Sequence, residues 1–316
     1  MGTPPPIRSI PPAYDAGEQA EYAAIRSGCA IDRIAPRALL EVAGEEGVHA
    51  LLRGLRFRLF DPGPGDVRAA VILDGDRITA TATVVRRAPD RLLLDCSNPT
   101  AERVLEAAGV ELLEHGDQLV RMRLRGPDLA AMLGGEPPGA GALRTDFAPG
   151  GTSTLLCGTG LDRATIYCGK DGARACWDAL VAAGALPVGS TALETVRIED
   201  AEPCLERDFP QPVAPALAGQ GEYAPTDDAR VLVANEHEGP GPLAHGTLRV
   251  AGVEVGDLRV GARSVQRAGR AIALATVDRA LAAPGTPIDV DAGERVLAGV
   301  VVRRAALPSG SAAPNY

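Results

Sequence analysis

The chain has 316 residues, of which 46% are hydrophobic and 23% are charged, a composition typical of a folded protein with room for two or three domains. Its formal net charge of −9 argues against nucleic acid or an anionic membrane surface as a partner, because both require a basic face. The sequence has no window of about 18 apolar residues and no secretion-signal pattern in its first residues, MGTPPPIRSIPP, so we expect a cytoplasmic protein.

The first two thirds of the chain alternate between helical and strand-like segments, which indicates an α+β domain. Helices are predicted at residues 18–27, 45–55, 99–108, 171–183 and 192–200. Strands are predicted at residues 29–44, 119–126 and 162–167, and in the three runs VRAAVIL, ITATATVV and RLLLDCS between residues 66 and 97. Asp74-Gly75-Asp76 separates the first two runs and predicts a hairpin turn. Residues 134–151 are rich in Gly and Pro and are predicted to form a loop.

The last third of the chain has a different pattern, in which short strand-like runs follow one another at regular spacing. These runs are ARVLVANE, GTLRVAGVEVGDLRVG, RAIALATV, TPIDVDAG and RVLAGVVVRRA, and they predict a small β-barrel. The predicted organisation is an extended segment at 1–15, an α+β domain at 16–210, a proline-bearing linker at 211–228, a β-barrel domain at 229–307 and a tail at 308–316.

The residues most often found in metal and thiol sites are scattered in this chain. The six cysteines, Cys29, Cys96, Cys157, Cys168, Cys176 and Cys204, contain no CxxC pair, so we predict inert buried thiols and no zinc site. His237 and His245 stand with Glu236 and Glu238 in EHEGPGPLAH. Their spacing matches no metal-ligand pattern, and a solvated loop is predicted there.

Four stretches of the sequence resemble the T-protein (aminomethyltransferase) family of the glycine cleavage system. They are EYAAIRSGCAIDR, DRITATATVVRRAPDRLLLDCSN, residues 172–209, and the run from VGDLRVG to AGVVV near the C-terminus. The resemblance extends from about residue 21 to about residue 304. It implies an aminomethyltransferase-like folate-binding α+β domain followed by a C-terminal β-barrel. Members of this family typically bind tetrahydrofolate and move a one-carbon unit to or from it.

The resemblance also indicates that three side chains used by the family for its cofactor, and a tyrosine of its pocket, are replaced here. The family's carboxylate near the reacting nitrogen corresponds to Thr81, and the carboxylate that accepts hydrogen bonds from the pterin corresponds to Thr165. The supporting arginine corresponds to Leu193, and a pocket tyrosine corresponds to Leu205. Threonine cannot replace a formal negative charge. We therefore expect no cofactor, with tetrahydrofolate held through other residues as the alternative.

Polar side chains remain at several positions that correspond to the family's pocket. We predict Asp95, Tyr167 and Thr81 as catalytic residues. We predict Asn98, Thr165, Glu194 and Arg197 as substrate-binding residues. Three of them have a structural alternative: Asp95 as a cap of the following helix, Tyr167 as a packed strand aromatic, and Glu194 as a support of its helix terminus.

Three functions are compatible with this pattern. The first is an enzyme of a specialised metabolic pathway that acts on a small organic substrate without the usual folate chemistry. The second is a divergent tetrahydrofolate-dependent methyl or aminomethyl transferase. The third is a non-catalytic binding protein. The sequence leaves the substrate and the oligomeric state open.

Overall fold

A computed structural model describes residues 11–304, apart from residues 12, 34–37, 55–62, 75–76, 97–99, 108, 116–117, 137, 140, 161, 205–207, 209–229, 239–240, 242, 244 and 294. The chain divides into two compact units. The first contains Thr79–Leu193 and the described chain before Asp74, and the second contains Asp74–Ile78 and the described chain from Glu194 onward. No helix of the described residues is both long and apolar enough to cross a membrane.

The described helices are α1 (Glu18–Ser27), α2 (Glu45–Gly54), α3 (Thr100–Ala107), α4 (Leu129–Met132), α5 (Ala173–Ala182) and α6 (Ser190–Glu199). The strands up to α6 are β1 (Ala30–Arg33), β2 (Ala38–Ala43), β3 (Val67–Asp74), β4 (Arg77–Ala88), β5 (Arg91–Cys96), β6 (Leu113–Glu114), β7 (Leu119–Arg125), β8 (Leu143–Arg144), β9 (Thr154–Gly160), β10 (Arg163–Gly169) and β11 (Leu186–Pro187). The strands after it are β12 (Arg230–His237), β13 (Gly246–Val250), β14 (Val253–Arg263), β15 (Ala271–Asp278), β16 (Asp289–Asp291), β17 (Val296–Leu297) and β18 (Gly299–Arg304).

The first unit is built on two sheets. One has the strand order β11-β1-β7-β10-β9-β8, and the other has the order β3-β4-β5-β2-β6. Alternate residues of a strand point to opposite faces of its sheet. The two inner faces meet in an apolar cluster made by Leu39, Val67, Val85, Leu93, Cys157 and Tyr167. The sheets therefore pack face to face, and polar residues on these inner faces lie in the interior of the unit.

The outer face of each sheet is covered by helices. Val48 and Leu51 of α2 and Leu105 of α3 pack on the five-stranded sheet, and Cys176 and Leu180 of α5 pack on the six-stranded sheet. Helix α2 follows Gly44, whose φ of 86° lies in the left-handed region that glycine adopts without strain. The first unit is thus a layered helix–sheet–sheet–helix structure.

The second unit carries a seven-stranded antiparallel sheet in the order β17-β16-β13-β14-β15-β12-β18. The segment just before β16 also bonds to β18, since the amide of Ile288 donates to the carbonyl of Gly299 and the amide of Val301 donates to that of Thr286. The sheet therefore curls back on itself, and Val231, Val233, Ala273, Val290 and Val301 are among the residues of its apolar interior.

The predicted fold class, an α+β domain followed by a C-terminal β domain, is confirmed. The single strand predicted at 29–44 is wrong, because β1 belongs to the six-stranded sheet and β2 to the five-stranded sheet. Pro36 interrupts that run, and proline cannot donate a ladder hydrogen bond. The sequence analysis also missed β9, whose TLLCGTG segment ends in glycines. The predicted linker at 211–228 lies outside the described residues, so the domain boundary remains a prediction.

The solvated loop predicted around the two histidines is wrong for His237. This residue is the last of β12 and is buried beside Ala271 and Gly299 of the neighbouring strands. The strand that begins at Arg230 continues through its polar residues to His237, so side-chain polarity misled the prediction. Burial lowers the pKa of His237, with a smaller opposing contribution from the backbone of Glu238. Among the described residues, no group of three or more His, Cys, Asp or Glu side chains is arranged to hold a metal ion.

Candidate functional site

Asp95 lies at the end of β5 with its side chain directed between the two sheets. Within this strand, Leu92, Leu94 and Cys96 belong to the cluster on the helix side of the sheet, whereas Leu93 belongs to the cluster between the sheets. Asp95 therefore shares the inner face with Leu93 because strand side chains alternate. It is only 2% exposed, and a buried carboxylate requires partners.

Two buried side chains of the opposite sheet supply these partners. The hydroxyl of Tyr167, on β10, donates to Asp95 Oδ2 at 2.7 Å, and Nη1 of Arg121, on β7, donates to the same oxygen. Tyr167 and Arg121 are 1% and 6% exposed. Burial and the negative charge of Asp95 raise the pKa of Tyr167 well above its ordinary value. The cluster thus combines a carboxylate acceptor, a phenol that holds its proton, and a cation.

Asp95 and Tyr167, two of the three predicted catalytic residues, are therefore brought together, and sequence reasoning missed Arg121. A signal for Arg121 was present. In LVRMRLR the three arginines alternate with Val120, Met122 and Leu124, which pack on the helix side of the sheet. We would ordinarily assign a charged face of such a strand to solvent. Here the second sheet covers that face.

Thr81, the third predicted catalytic residue, lies on β4 and is partly buried. It shares a face with Thr83, which is directly opposite Asp95 in the ladder between β4 and β5. The residue of β4 nearest to Asp95 in the register is therefore Thr83, two positions beyond the predicted one. Asn98 lies outside the described residues.

Thr165, a predicted substrate-binding residue, is buried on β10. Its ladder partners are Arg123 on β7 and Cys157 on β9. The guanidinium of Arg123 holds Asp32 through Nε at 3.2 and 3.1 Å and through Nη2 at 2.7 Å. The environment of Thr165 thus includes a second arginine–aspartate pair, in which Asp32 is buried and Arg123 is largely buried.

Glu194 and Arg197 lie on α6 and bind each other. Arg197 is completely buried and donates to Glu194 at 2.9 and 2.5 Å, to Asp208 at 2.6 and 3.0 Å, and to the carbonyl of Glu202 at 2.8 Å. Burial would lower the pKa of Arg197, but the hydrogen bond to Glu194 and the charges of both carboxylates outweigh it and raise the pKa. This arrangement ties α6 to the segment that follows it. The assignment of both residues to substrate binding remains a prediction.

All six cysteines are buried and free. Burial, followed by the charge of Asp95, raises the pKa of the Cys96 and Cys157 thiols, and burial raises the pKa of Cys29 to about 11. Cys168 differs, because a hydrogen bond with Cys176 lowers its pKa. Burial and thiol protonation both oppose nucleophilic reactivity.

We therefore expect the folded protein to react slowly with a thiol-specific disulfide reagent at neutral pH. All six thiols should react promptly once denaturant exposes them. Absorbance of the released thiolate measures both rates. A thiol that reacts in the native protein as fast as in the denatured one would contradict the assignment of these cysteines as inert.

Known proteins with a similar sequence or structure point to one family. The chain is 32% identical over 241 residues to a protein named aminomethyltransferase from Geobacillus kaustophilus; the match covers 66% of this chain and 61% of that protein, less than two thirds of the relative's length. It is 28% identical over 311 residues to an aminomethyltransferase from Streptomyces coelicolor, covering 85% of this chain and 83% of the relative. No family model matches the chain.

A solved structure supports the same assignment at the level of fold. The glycine cleavage system aminomethyltransferase T from Bartonella henselae superimposes with a TM-score of 0.78 at 21% identity, over 93% of this chain and 90% of that one. Together, the sequence matches and the shared fold support the chain as a divergent member of the glycine cleavage T-protein (aminomethyltransferase) family.

Proposed function

We propose that the protein is an enzyme that acts on a small organic molecule and uses Tyr167 and Asp95 as its proton-transfer pair. The observation that carries this proposal is the buried cluster in which Tyr167 and Arg121 both donate to one oxygen of Asp95. A phenol that keeps its proton can deliver that proton to a bound molecule, and the carboxylate beside it can take a proton from one. The fixed charge of Arg121 would stabilise the negative charge that such a transfer leaves behind.

We further propose that the protein does not hold tetrahydrofolate through the family's pattern of contacts. The edge of a pterin that the family reads presents N–H donors and needs a carboxylate acceptor. At the corresponding position this chain has Thr165, whose neighbour across the ladder is Arg123, itself a donor bound to Asp32. The residues present therefore do not fit the donor edge of a pterin. A role in a specialised biosynthetic pathway is part of the same proposal.

A second candidate is a divergent tetrahydrofolate-dependent one-carbon transferase. It is favoured by the relatives named aminomethyltransferase, one of which is matched over 85% of this chain. In that case folate would be held by residues other than Thr81 and Thr165. A non-catalytic binding protein is the third candidate and would need the Asp95 cluster only for stability.

Calorimetric titration with tetrahydrofolate separates the first two candidates. Losing two charged hydrogen bonds, at about 1.5–3 kcal/mol each, weakens binding by a factor of roughly 10² to 10⁴. We therefore expect no saturable heat at ligand concentrations up to about 100 μM. Binding with a dissociation constant in the low micromolar range would reject the first candidate and favour the second. A related aminomethyltransferase titrated under the same conditions controls for the integrity of the ligand.

A further inference from the structure

The inner face of β7 presents a row of positively charged donors in the interior of the first unit. Arg121, Arg123 and Arg125 occupy alternate positions of this strand, and all three are at least largely buried. Arginine has no acceptor atom and is charged at all accessible pH values. The polarity of this face is thus suited to ligand groups that accept hydrogen bonds.

The guanidinium of Arg121 has a hydrogen-bond donor without a partner among the described residues. Its Nη1 donates to Asp95, whereas its Nη2 is buried and finds no hydrogen-bond partner among the described residues. By contrast, the guanidinium of Arg123 holds both oxygens of Asp32. Tyr167 and Nη1 of Arg121 donate to the same oxygen of Asp95, and Nη2 of the guanidinium has no such acceptor among the described residues. A buried charged donor without an acceptor is costly, so such a group indicates a missing partner.

We propose that Nη2 of Arg121 binds the carboxylate of a small molecule next to Tyr167 and Asp95. This inference rests on the proposed function, whose substrate it assigns to the class of small carboxylates. A planar carboxylate matches the planar guanidinium edge, and an ionised acceptor makes the stronger hydrogen bond. A phosphate dianion fits less well, because the cost of desolvating an ion grows with the square of its charge.

The test uses the complete protein with acetate as the carboxylate probe and sodium chloride at equal ionic strength as the reference. At about 100 mM, acetate should raise the melting temperature by about 2 °C or more relative to chloride. Acetamide, the neutral analogue, and inorganic phosphate should give clearly smaller shifts. No shift with acetate, or an equal or larger shift with acetamide or phosphate, would overturn the assignment.

Paired substitutions locate the effect. The double variant Arg121→Gln, Asp95→Asn removes the proposed site without leaving a lone buried charge, and Arg123→Gln, Asp32→Asn does the same to the neighbouring pair. The acetate shift should disappear in the first and persist in the second. An acetate shift that persists in the Arg121 variant would contradict the site. If the first variant fails to fold, a crystal structure of the unaltered protein grown with acetate decides, because the anion must then lie within hydrogen-bond distance of Arg121 Nη2.

The results of the acetate and folate experiments distinguish failure of the proposed substrate class from failure of the proposed function. Micromolar binding of tetrahydrofolate together with an acetate shift located at Arg121 would reject the proposed function while leaving the anion site in place. No folate binding and no acetate shift would leave the proposed enzyme class and remove only the substrate class.

Discussion

Replacing Arg197 with leucine is expected to destabilise the folded protein by about 3–5 kcal/mol, because the substitution leaves a buried carboxylate without its cation. Arg197 makes two hydrogen bonds to Asp208, whose side chain is completely buried. Burial already raises the pKa of Asp208 in the intact protein, against the opposing effect of Arg197. Chemical denaturation measured by circular dichroism gives the change in the free energy of unfolding.

The loss of stability in this variant should depend on pH. Without Arg197 the pKa of Asp208 in the folded state rises further above its unfolded value, so the folded state binds more protons than the unfolded state. Stability contributed by such a group is present below the unfolded pKa and is lost as pH rises. The deficit relative to the unaltered protein should therefore grow as the pH rises above the ordinary pKa of an aspartate. A deficit that is independent of pH would indicate lost packing in place of an unpaired charge.

Arg174 provides the matched control for Arg197. It also pairs with an aspartate, Asp178, at 2.6 Å, but both side chains are more than half exposed. Exposed pairs one helical turn apart contribute about 0.5 kcal/mol. Arg174→Leu should therefore change stability by no more than about that amount. A similar loss in both variants would show that burial does not determine the effect.

Asp95→Ala is expected to cost about 3–5 kcal/mol of folding stability, because it leaves the charge of Arg121 buried without its counter-ion. Arg121→Met should cost a similar amount for the opposite reason. The double variant should be less destabilised than the sum of the two, with a coupling of about 2–3 kcal/mol. Denaturant unfolding of the four proteins of this cycle measures the coupling.

Tyr167→Phe is the graded control for this cluster. It keeps the ion pair and removes one hydrogen bond to a charged group, so a loss of about 1.5–3 kcal/mol is expected.

Additive effects of Asp95→Ala and Arg121→Met on the free energy of unfolding would mean that the two side chains do not depend on each other. The buried cluster would then lose its support as a functional unit.

The candidate site was only partly accessible to sequence reasoning. Asp95 and Tyr167 were selected because they occupy positions that resemble the family's pocket, and the structure brings them within 2.7 Å. Arg121 was missed because alternation along a strand indicates which residues share a face, but not what covers that face. His237 was misplaced for a related reason, because a polar run does not reveal that its strand is flanked by two others in a sheet.

The sequence by itself indicated the fold class through local periodicity, and residues at matched positions indicated the resemblance to the aminomethyltransferase family. The correspondence of Thr81 and Thr165 to the family's carboxylates stays a prediction. Only the tertiary structure decided that Arg121, Asp95 and Tyr167 form one buried cluster. These residues lie 26 and 72 positions apart along the chain, and they meet because two separate sheets pack face to face. No periodicity within a strand encodes which sheet it will face, so the partner of a buried charge becomes visible only when the layers are assembled.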